Sequence, residues 1–194
     1  MGCAVLPVAA GWPRRQASCG DADGGLQEGL LHAVRGYDAA AIVTMCLKMI
    51  LPEPYTVEIC DWKQQHESLL KVRFAVFVEE QKVPVEIEQD DKDPVSVHVL
   101  ARDSRGEVIG TARLIPHELP RIGRMAVLKP WRRAGVGAAM LTALCAEAKR
   151  RGYSEVMLNA QTHATPFYFK HGFLSHGPEF AEAGIPHQEM RKQI

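Results

Sequence analysis

The 194-residue chain lacks a hydrophobic run long enough to cross a membrane. Its most apolar stretch, residues 39–51, is about a dozen residues long and contains Lys48, whereas a membrane helix needs about 20. It also lacks an excess of charge, because 23 lysines and arginines balance 23 aspartates and glutamates. We therefore expect no nucleic-acid or membrane partner bound through charge alone. The length and ordinary composition predict one domain, with at most an extension.

Cysteine is scarce and unpatterned. The five cysteines are an odd number, and no C-x-x-C or other paired zinc-ligand spacing occurs. This excludes a disulfide framework and a zinc-finger type of metal site, and it predicts a cytoplasmic protein without a bound metal. Cys145 falls in the middle of a predicted helix and is interpreted as a packing residue rather than a nucleophile.

The first 50 residues differ from the rest. They hold seven of the sixteen glycines, and they show neither strand alternation nor a chemical motif. We predict that residues 1–50 are an N-terminal extension, either a dispensable leader or a mis-assigned start ahead of Met49. A packed extension is the alternative. Patterned sequence begins near residue 51 and continues to residue 194.

Hydrophobic periodicity over the patterned part predicts more strands than helices, in a mixed order. The fold class is therefore α/β or α+β around one central sheet. The segment from 86 to 93 is predicted to be an acidic loop. The predicted strands cover residues 55–60, 95–102, 108–115, 121–127, 155–160 and 187–193, and the predicted helices cover residues 61–80, 135–151 and 165–170.

The strongest local signal lies between a predicted strand and the long helix. It reads Arg132, Arg133, Ala134, Gly135, Val136, Gly137, Ala138. The first turn of a helix leaves about four N–H groups unpaired, which favours a bound anion such as a phosphate. The dinucleotide pattern G-x-G-x-x-G fails because Met140 stands at the third glycine, and no P-loop Gly-Lys-Ser/Thr follows.

A second signal is the aromatic segment from 161 to 173. Tyr168 projects about 100° away from the face that Ala164, Phe167 and His171 share on a helix. A phenol has an ordinary pKa of about 10 and can donate a proton. A purely structural ring is the alternative for Tyr168.

Together these segments resemble the GNAT superfamily of acetyl-CoA-dependent N-acetyltransferases. The family's R/Q-x-x-G-x-G/A motif is matched by Arg132, Gly135 and Gly137. Its N-x-x-A-x-x-x-Y motif is matched by Ala164 and Tyr168, with Gln161 in place of asparagine. The K-x-G-F that follows is present at residues 170–173. The resemblance implies the GNAT fold, a mixed and mostly antiparallel sheet flanked by helices, over residues 51–194.

The chain resembles the ElaA-like branch of that superfamily more closely. That branch has an R-x-x-V-F-V-x-E-Q helix end, a V-P pair with an acidic stretch, a strand histidine, an I-G-R-x-A-V strand, an A-Q-x-H segment and a late I-P-H-x-x-M. The matching positions here are residues 73–81, Val83, Pro84, 86–93, His98, 122–127, 160–163 and 185–190.

The resemblance implies acetyl-CoA as co-substrate and no metal. Its pyrophosphate would lie on the amides of residues 133–138, and its pantetheine arm would run along residues 125–127. A backbone N–H near Val127 would polarise the thioester carbonyl. The implied cofactor-binding residues are Met125, Ala126, Val127, Arg132, Arg133, Ala134, Gly135, Val136, Gly137, Ala138, Asn159, Gln161 and Tyr168.

For catalysis, the motif positions Tyr168 to protonate the leaving thiolate. The general base is left open, with Glu80 and His98 as catalytic candidates. We expect Arg73 to pair with an acid, either Glu80 or one in the 86–93 loop, and to shape the substrate pocket. The base candidates as a set are Glu80, Glu86, Glu88, His98 and His163, and the predicted substrate-binding residues are Arg73, Glu86, Glu88 and His163.

The predicted reaction is acetyl transfer from acetyl-CoA to a primary amine by direct attack in a ternary complex. The acidic loop favours a small cationic amine, and a homodimer is left open. One alternative is a non-catalytic acyl-CoA-binding sensor or interaction module on the same fold. Another is an unrelated nucleotide-binding protein that uses residues 132–138 for phosphate.

Overall fold

A computed structural model describes residues 54–194. The predicted extension, residues 1–50, lies outside the described residues. Seven strands form one sheet in the order β1-β2-β3-β4-β5-β7-β6, in which β4 and β5 are parallel and the other neighbours are antiparallel. The strands are β1 (Tyr55–Cys60), β2 (Val97–Asp103), β3 (Val108–Ile115), β4 (Arg121–Val127), β5 (Glu155–Gln161), β6 (Leu174–Glu182) and β7 (Ile185–Gln193). The predicted fold class is confirmed.

Within residues 54–194, four α-helices accompany the sheet. They are α1 (Trp62–Arg73), α2 (Val85–Glu88), α3 (Val136–Arg150) and α4 (Thr165–Lys170). A π-helical segment, Phe74–Glu80, continues α1, and 3-10 turns cover Asp93–Val95, Lys129–Trp131 and Thr162–Ala164. None of these helices is long and apolar enough to span a membrane.

The two longest helices pack against the sheet through separate hydrophobic clusters. Asp61 caps α1 by accepting a hydrogen bond from the Lys63 amide at 2.7 Å. Leu69 and Val72 of this helix are buried with Leu100 of β2. Helix α3 buries one stripe, including Met140 and Leu144, in the other cluster. Both helices are therefore held on the sheet by buried apolar stripes.

The local structure differs from the sequence prediction in several places. The helix predicted to run to Glu80 is α-helical only to Arg73 and then becomes π-helical. The predicted acidic loop begins with α2. Strand β6 was not predicted, and β7 begins at Ile185 rather than His187. Nearly all of β6 is exposed, so it carries no alternation of buried and exposed residues from which a strand could be recognised.

Strands β4 and β5 separate soon after they meet. Their pairing is confined to Arg121 with Met157 and Ile122 with Leu158. On its other side β4 carries a β-bulge. Gly123 of β4 pairs with Arg113 of β3, and Ala126 pairs with Thr111. Between these two pairs β4 has two residues and β3 has one. Arg124 in this bulge has a left-handed φ of 51°. The bulge therefore lies where β4 leaves β5, and the two strands diverge from there toward α3 and α4.

Candidate active site

The turn into α3 presents unpaired amides. Arg133 and Gly135 both have left-handed φ angles, 67° and 87°. The first helical hydrogen bond joins the Ala139 amide to the Gly135 carbonyl at 3.0 Å. The amides of residues 136–138 precede that bond, so the helix does not use them. Together with the positive end of the helix dipole they form a site suited to a phosphate oxygen.

Arg132 ties this turn to two other elements. Its Nε donates to the Val127 carbonyl at 2.9 Å, and its Nη1 and Nη2 each donate to the Glu80 carboxylate at 2.7 Å. The hydrogen bond raises the pKa of Arg132 and lowers the pKa of Glu80. Glu80 was predicted as a catalytic base. Its contacts argue against that role, because both oxygens accept from a guanidinium and its affinity for a proton is reduced.

Tyr168 on α4 faces the diverging part of β4. Its hydroxyl lies 3.6 Å from Met125 Sδ. Phe167 and Phe173 pack edge-on against its ring, with centroids 5.0 and 6.0 Å away. Burial raises the pKa of Tyr168 to about 12. The phenol therefore keeps its proton at neutral pH and is directed at the strand that precedes the anion-binding turn.

Asn159 and Gln161 end β5 on the sheet face opposite α3, since the residue between them, Ala160, is buried in the α3 cluster. Asn159 Nδ2 donates to Glu182 of β6 at 2.9 Å, and Gln161 Nε2 donates to Gln81 at 3.0 Å. Neither partner is predicted from the sequence. These bonds link the end of β5 to β6 and to the end of the π-helical segment.

A buried cluster of charges lies beside the bulge. Three arginines, one each from α1, β3 and β4, meet three carboxylates from the segment 88–93. Arg73 pairs with Glu88 and with Asp93, the latter at 2.9 Å. The prediction that Arg73 pairs with an acid of the 86–93 segment is confirmed, and the alternative partner Glu80 is wrong. The members of this cluster are Arg73, Arg113, Arg124, Glu88, Asp90 and Asp93.

The cluster corrects the expected role of Glu88. Its side chain is 2% exposed and paired with Arg73 and Arg124, so it does not reach the surface to bind a substrate. Burial raises its pKa in spite of these arginines. For Asp90, burial works in the same direction, but hydrogen bonds from Arg113 prevail and hold its pKa at about 2. The three positive and three negative groups leave the cluster without net charge.

His98, the other predicted catalytic residue, is also buried. It is 1% exposed and stacks near Trp62, with ring centroids 5.2 Å apart. Its Nε2 donates to the Asp93 carbonyl at 2.9 Å, and burial lowers its pKa. A ring that is enclosed and already hydrogen-bonded through this nitrogen cannot take a proton from an acceptor in solution, so its position argues against a role as base.

Two of the predicted substrate-binding residues have side chains without a polar partner in the described part of the chain. Glu86 and His163 are exposed, and within residues 54–194 neither side chain makes a hydrogen bond or ion pair. His163 lies in the 3-10 turn between β5 and α4, two residues after Gln161 and five before Tyr168. Also within this part of the chain, no group of three or more His, Cys, Asp or Glu side chains is placed to hold a metal ion.

Comparison with known proteins bears on this arrangement. Residues 62–194 match the family model described as an acetyltransferase (GNAT) domain. Over 131 residues the chain is 40% identical to a Bacillus subtilis protein named "Uncharacterized N-acetyltransferase YjcF". The aligned stretch covers 67% of this chain and 94% of that protein.

Solved structures give the same result. The crystal structure of Escherichia coli ElaA superposes with a TM-score of 0.64 at 26% identity, over 71% of this chain and 98% of that one. An acyl-CoA N-acyltransferase from Pseudomonas aeruginosa superposes with a TM-score of 0.64 at 29% identity, over 70% and 97% of the two chains.

Proposed function

Because the chain belongs to the GNAT acetyltransferase family and is an acyltransferase enzyme, we propose that it transfers an acetyl group from acetyl-CoA to a primary amine by direct attack. One observation carries this proposal: the Tyr168 hydroxyl lies 3.6 Å from Met125 Sδ, on the part of β4 that has left β5. A proton donor thereby faces an opening in the sheet that leads to the anion-binding turn.

The residues present suit acetyl-CoA as co-substrate. The amides of residues 136–138, with Arg133 beside them, would hold the pyrophosphate. The β4 backbone that β5 leaves unpaired would hydrogen-bond the pantetheine arm as an added strand does. A Cβ added at Gly123, where the strands part, would meet nothing within 4 Å, so this part of the opening is not filled by side chains. Asn159 and Gln161 would border the opening from β5.

In the reaction the amine nitrogen attacks the acyl carbon, a C–N bond forms, and the C–S bond breaks. The leaving sulfur needs a proton or a hydrogen bond. A thiol has an ordinary pKa of about 8.5 and Tyr168 a pKa of about 12, so complete transfer from the phenol is uphill by about 5 kcal/mol. We therefore assign Tyr168 a strong hydrogen bond to the sulfur, with the proton shared as the C–S bond lengthens.

The amine must lose a proton as the new bond forms. Glu80, Glu88 and His98 are occupied by other groups, as described above. His163 and Glu86 are the remaining candidates of the original five. We propose His163, directly or through a water molecule, because it lies on the segment that connects β5 to Tyr168.

The odd number of cysteines further supports a cytoplasmic site of action.

The test is acetyl-CoA-dependent thiol release with a panel of amines, followed by mass spectrometry of the acetylated product. Tyr168→Phe removes the hydroxyl alone and is expected to lower kcat by about 10- to 100-fold, the worth of a hydrogen bond to a charged group. Tyr153→Phe is the matched control, because Tyr153 also packs on the core but follows the far end of α3. An unchanged kcat in Tyr168→Phe would remove the assigned role.

Two other outcomes would replace the proposal. Binding of acetyl-CoA without turnover on any amine would favour a non-catalytic acyl-CoA-binding module. Competition by ATP without binding of CoA would favour a nucleotide-binding protein that uses the turn before α3.

A further inference from the structure

Arg124 is a charged residue in the middle of a strand that has neighbours on both sides. Its backbone is left-handed, at a φ of 51°, and the next residue, Met125, contacts the Tyr168 hydroxyl. We propose that Arg124 is a positioning residue: by tying the bulge of β4 to the segment 87–90, it holds β4 away from β5 and sets the opening that receives the thioester. This inference rests on the proposed function, because the opening matters only if an acyl-CoA enters it.

The guanidinium of Arg124 gathers four oxygens from one short segment. Nη2 donates to the Ile87 carbonyl at 2.8 Å, and Nε donates to the Glu88 carbonyl at 3.3 Å. The Glu88 carboxylate lies 3.3 Å from Nε, and the Asp90 carboxylate lies 3.4 Å from Nη2. A planar fork with several donors fits such a set of acceptors, and a lysine ammonium does not.

The segment that Arg124 binds is itself firmly held. Arg73 Nη2 donates to the Glu88 carbonyl at 2.6 Å, and Arg73 Nε donates to the Glu88 carboxylate. Arg113 donates to both oxygens of Asp90, each at 2.7 Å. Residues of α1 and β3 thus hold the segment 87–90 independently of β4. The segment therefore serves as a fixed anchor, and the backbone of the β4 bulge adapts to its position.

No strand contact opposes this anchor from the other side. The pairing of β4 with β5 ends at Ile122, two residues before Arg124. Two parallel strands that lie side by side gain hydrogen bonds by continuing their ladder, so an unrestrained β4 would tend to close on β5. A left-handed non-glycine residue persists only where its surroundings hold it. The four contacts of Arg124 provide that restraint.

The experiment compares Arg124→Ala, Arg124→Gly and Arg124→Lys with wild type in the full chain. CoA affinity is measured by calorimetry, and kcat and KM are measured with the best amine from the panel. Arg102→Ala is the matched control. The side chain of Arg102 is 23% exposed and that of Arg124 is 20% exposed. The Arg102 guanidinium also bonds three residues, Glu58, Gln65 and Gly106, but it lies on β2, away from the bulge.

We expect Ala and Gly at position 124 to weaken CoA binding by about tenfold or more and to lower kcat, because the reacting groups are displaced. Lysine should restore part of both, and Arg102→Ala should change neither by more than about twofold. Glycine is informative because it accepts the left-handed backbone without strain, so its loss of affinity would come from the missing anchor and not from misfolding. If alanine does not fold, the glycine and lysine variants decide.

CoA affinity at wild-type level in Arg124→Gly, or an equal loss in Arg102→Ala, would overturn the inference while leaving the proposed function intact. Failure of the wild-type chain itself to bind CoA would overturn both.

Discussion

Gly135 offers a sharp test of the anion-binding turn, because Gly137, two residues along the chain, differs from it in backbone conformation and in the space around its Cα. Gly135 has a φ of 87°, and a Cβ added there would lie 3.1 Å from the Tyr55 hydroxyl. Gly137 is helical, and a Cβ added there would meet Phe167 at 3.6 Å and Val127 at 3.9 Å, which are ordinary contacts. Alanine should therefore be tolerated at 137 and strained at 135.

The magnitudes follow from the backbone. A left-handed conformation costs a residue other than glycine about 1–2 kcal/mol. The tight contact with the Tyr55 hydroxyl adds to that cost, and the reduced freedom of the unfolded chain offsets part of it, about 0.4–1 kcal/mol. For Gly137→Ala, helix propensity favours alanine by about 0.5–1 kcal/mol. The two variants should thus differ by about 2 kcal/mol in the free energy of unfolding, or about 30-fold in the equilibrium constant.

The assay is urea unfolding followed by circular dichroism, with CoA titrated into each folded variant. Gly135→Ala should be the less stable variant and should bind CoA more weakly, since the amides of residues 136–138 are reoriented. Adding Tyr55→Phe removes the atom that the new Cβ approaches, so it should recover the contact part of the loss but not the torsional part. Equal stability and equal CoA affinity in the two alanine variants would refute this account of the turn.

Two further predictions concern charged groups. Asp90→Asn is expected to lower the free energy of unfolding by about 1–2 kcal/mol near pH 7. Because Arg113 depresses the pKa of Asp90 from 3.8 to about 2, this stabilisation is present above about pH 4 and is lost as the pH falls through 2. The gap between variant and wild type should therefore close over that window in urea unfolding, and a gap independent of pH would contradict the assignment. Glu80→Gln removes the carboxylate charge that pairs with Arg132, so the turn before α3 is held less firmly. The variant should raise the KM for acetyl-CoA, while kcat stays within about threefold of wild type in steady-state kinetics. A 100-fold fall in kcat would return Glu80 to the role of base.

Much of the fold follows from signals carried by neighbouring residues. The strands at 108–115 and 121–127 and the helix at 165–170 lie where the sequence predicts them. Each depends on alternation, capping or a turn residue that acts within a few positions. Strand β6 was missed because its exposed residues show no period, and the π-helical end of the first helix was missed because its side-chain pattern continues that of α1.

The sequence by itself determined the family, the anion-binding turn before α3 and the phenol at 168, because each is a short pattern whose chemistry is local. Only the tertiary structure decided which charges neutralise each other. Arg132 and Glu80 are 52 residues apart, and Arg124 and Glu88 are 36 apart. Such pairs form because the folded sheet brings their side chains together, and no periodicity along the chain records that proximity. For that reason three acids of the segment that suggested a cationic substrate, Glu88, Asp90 and Asp93, proved to be partners of arginines. Arg124 likewise stood out only once the strand around it was seen to bulge.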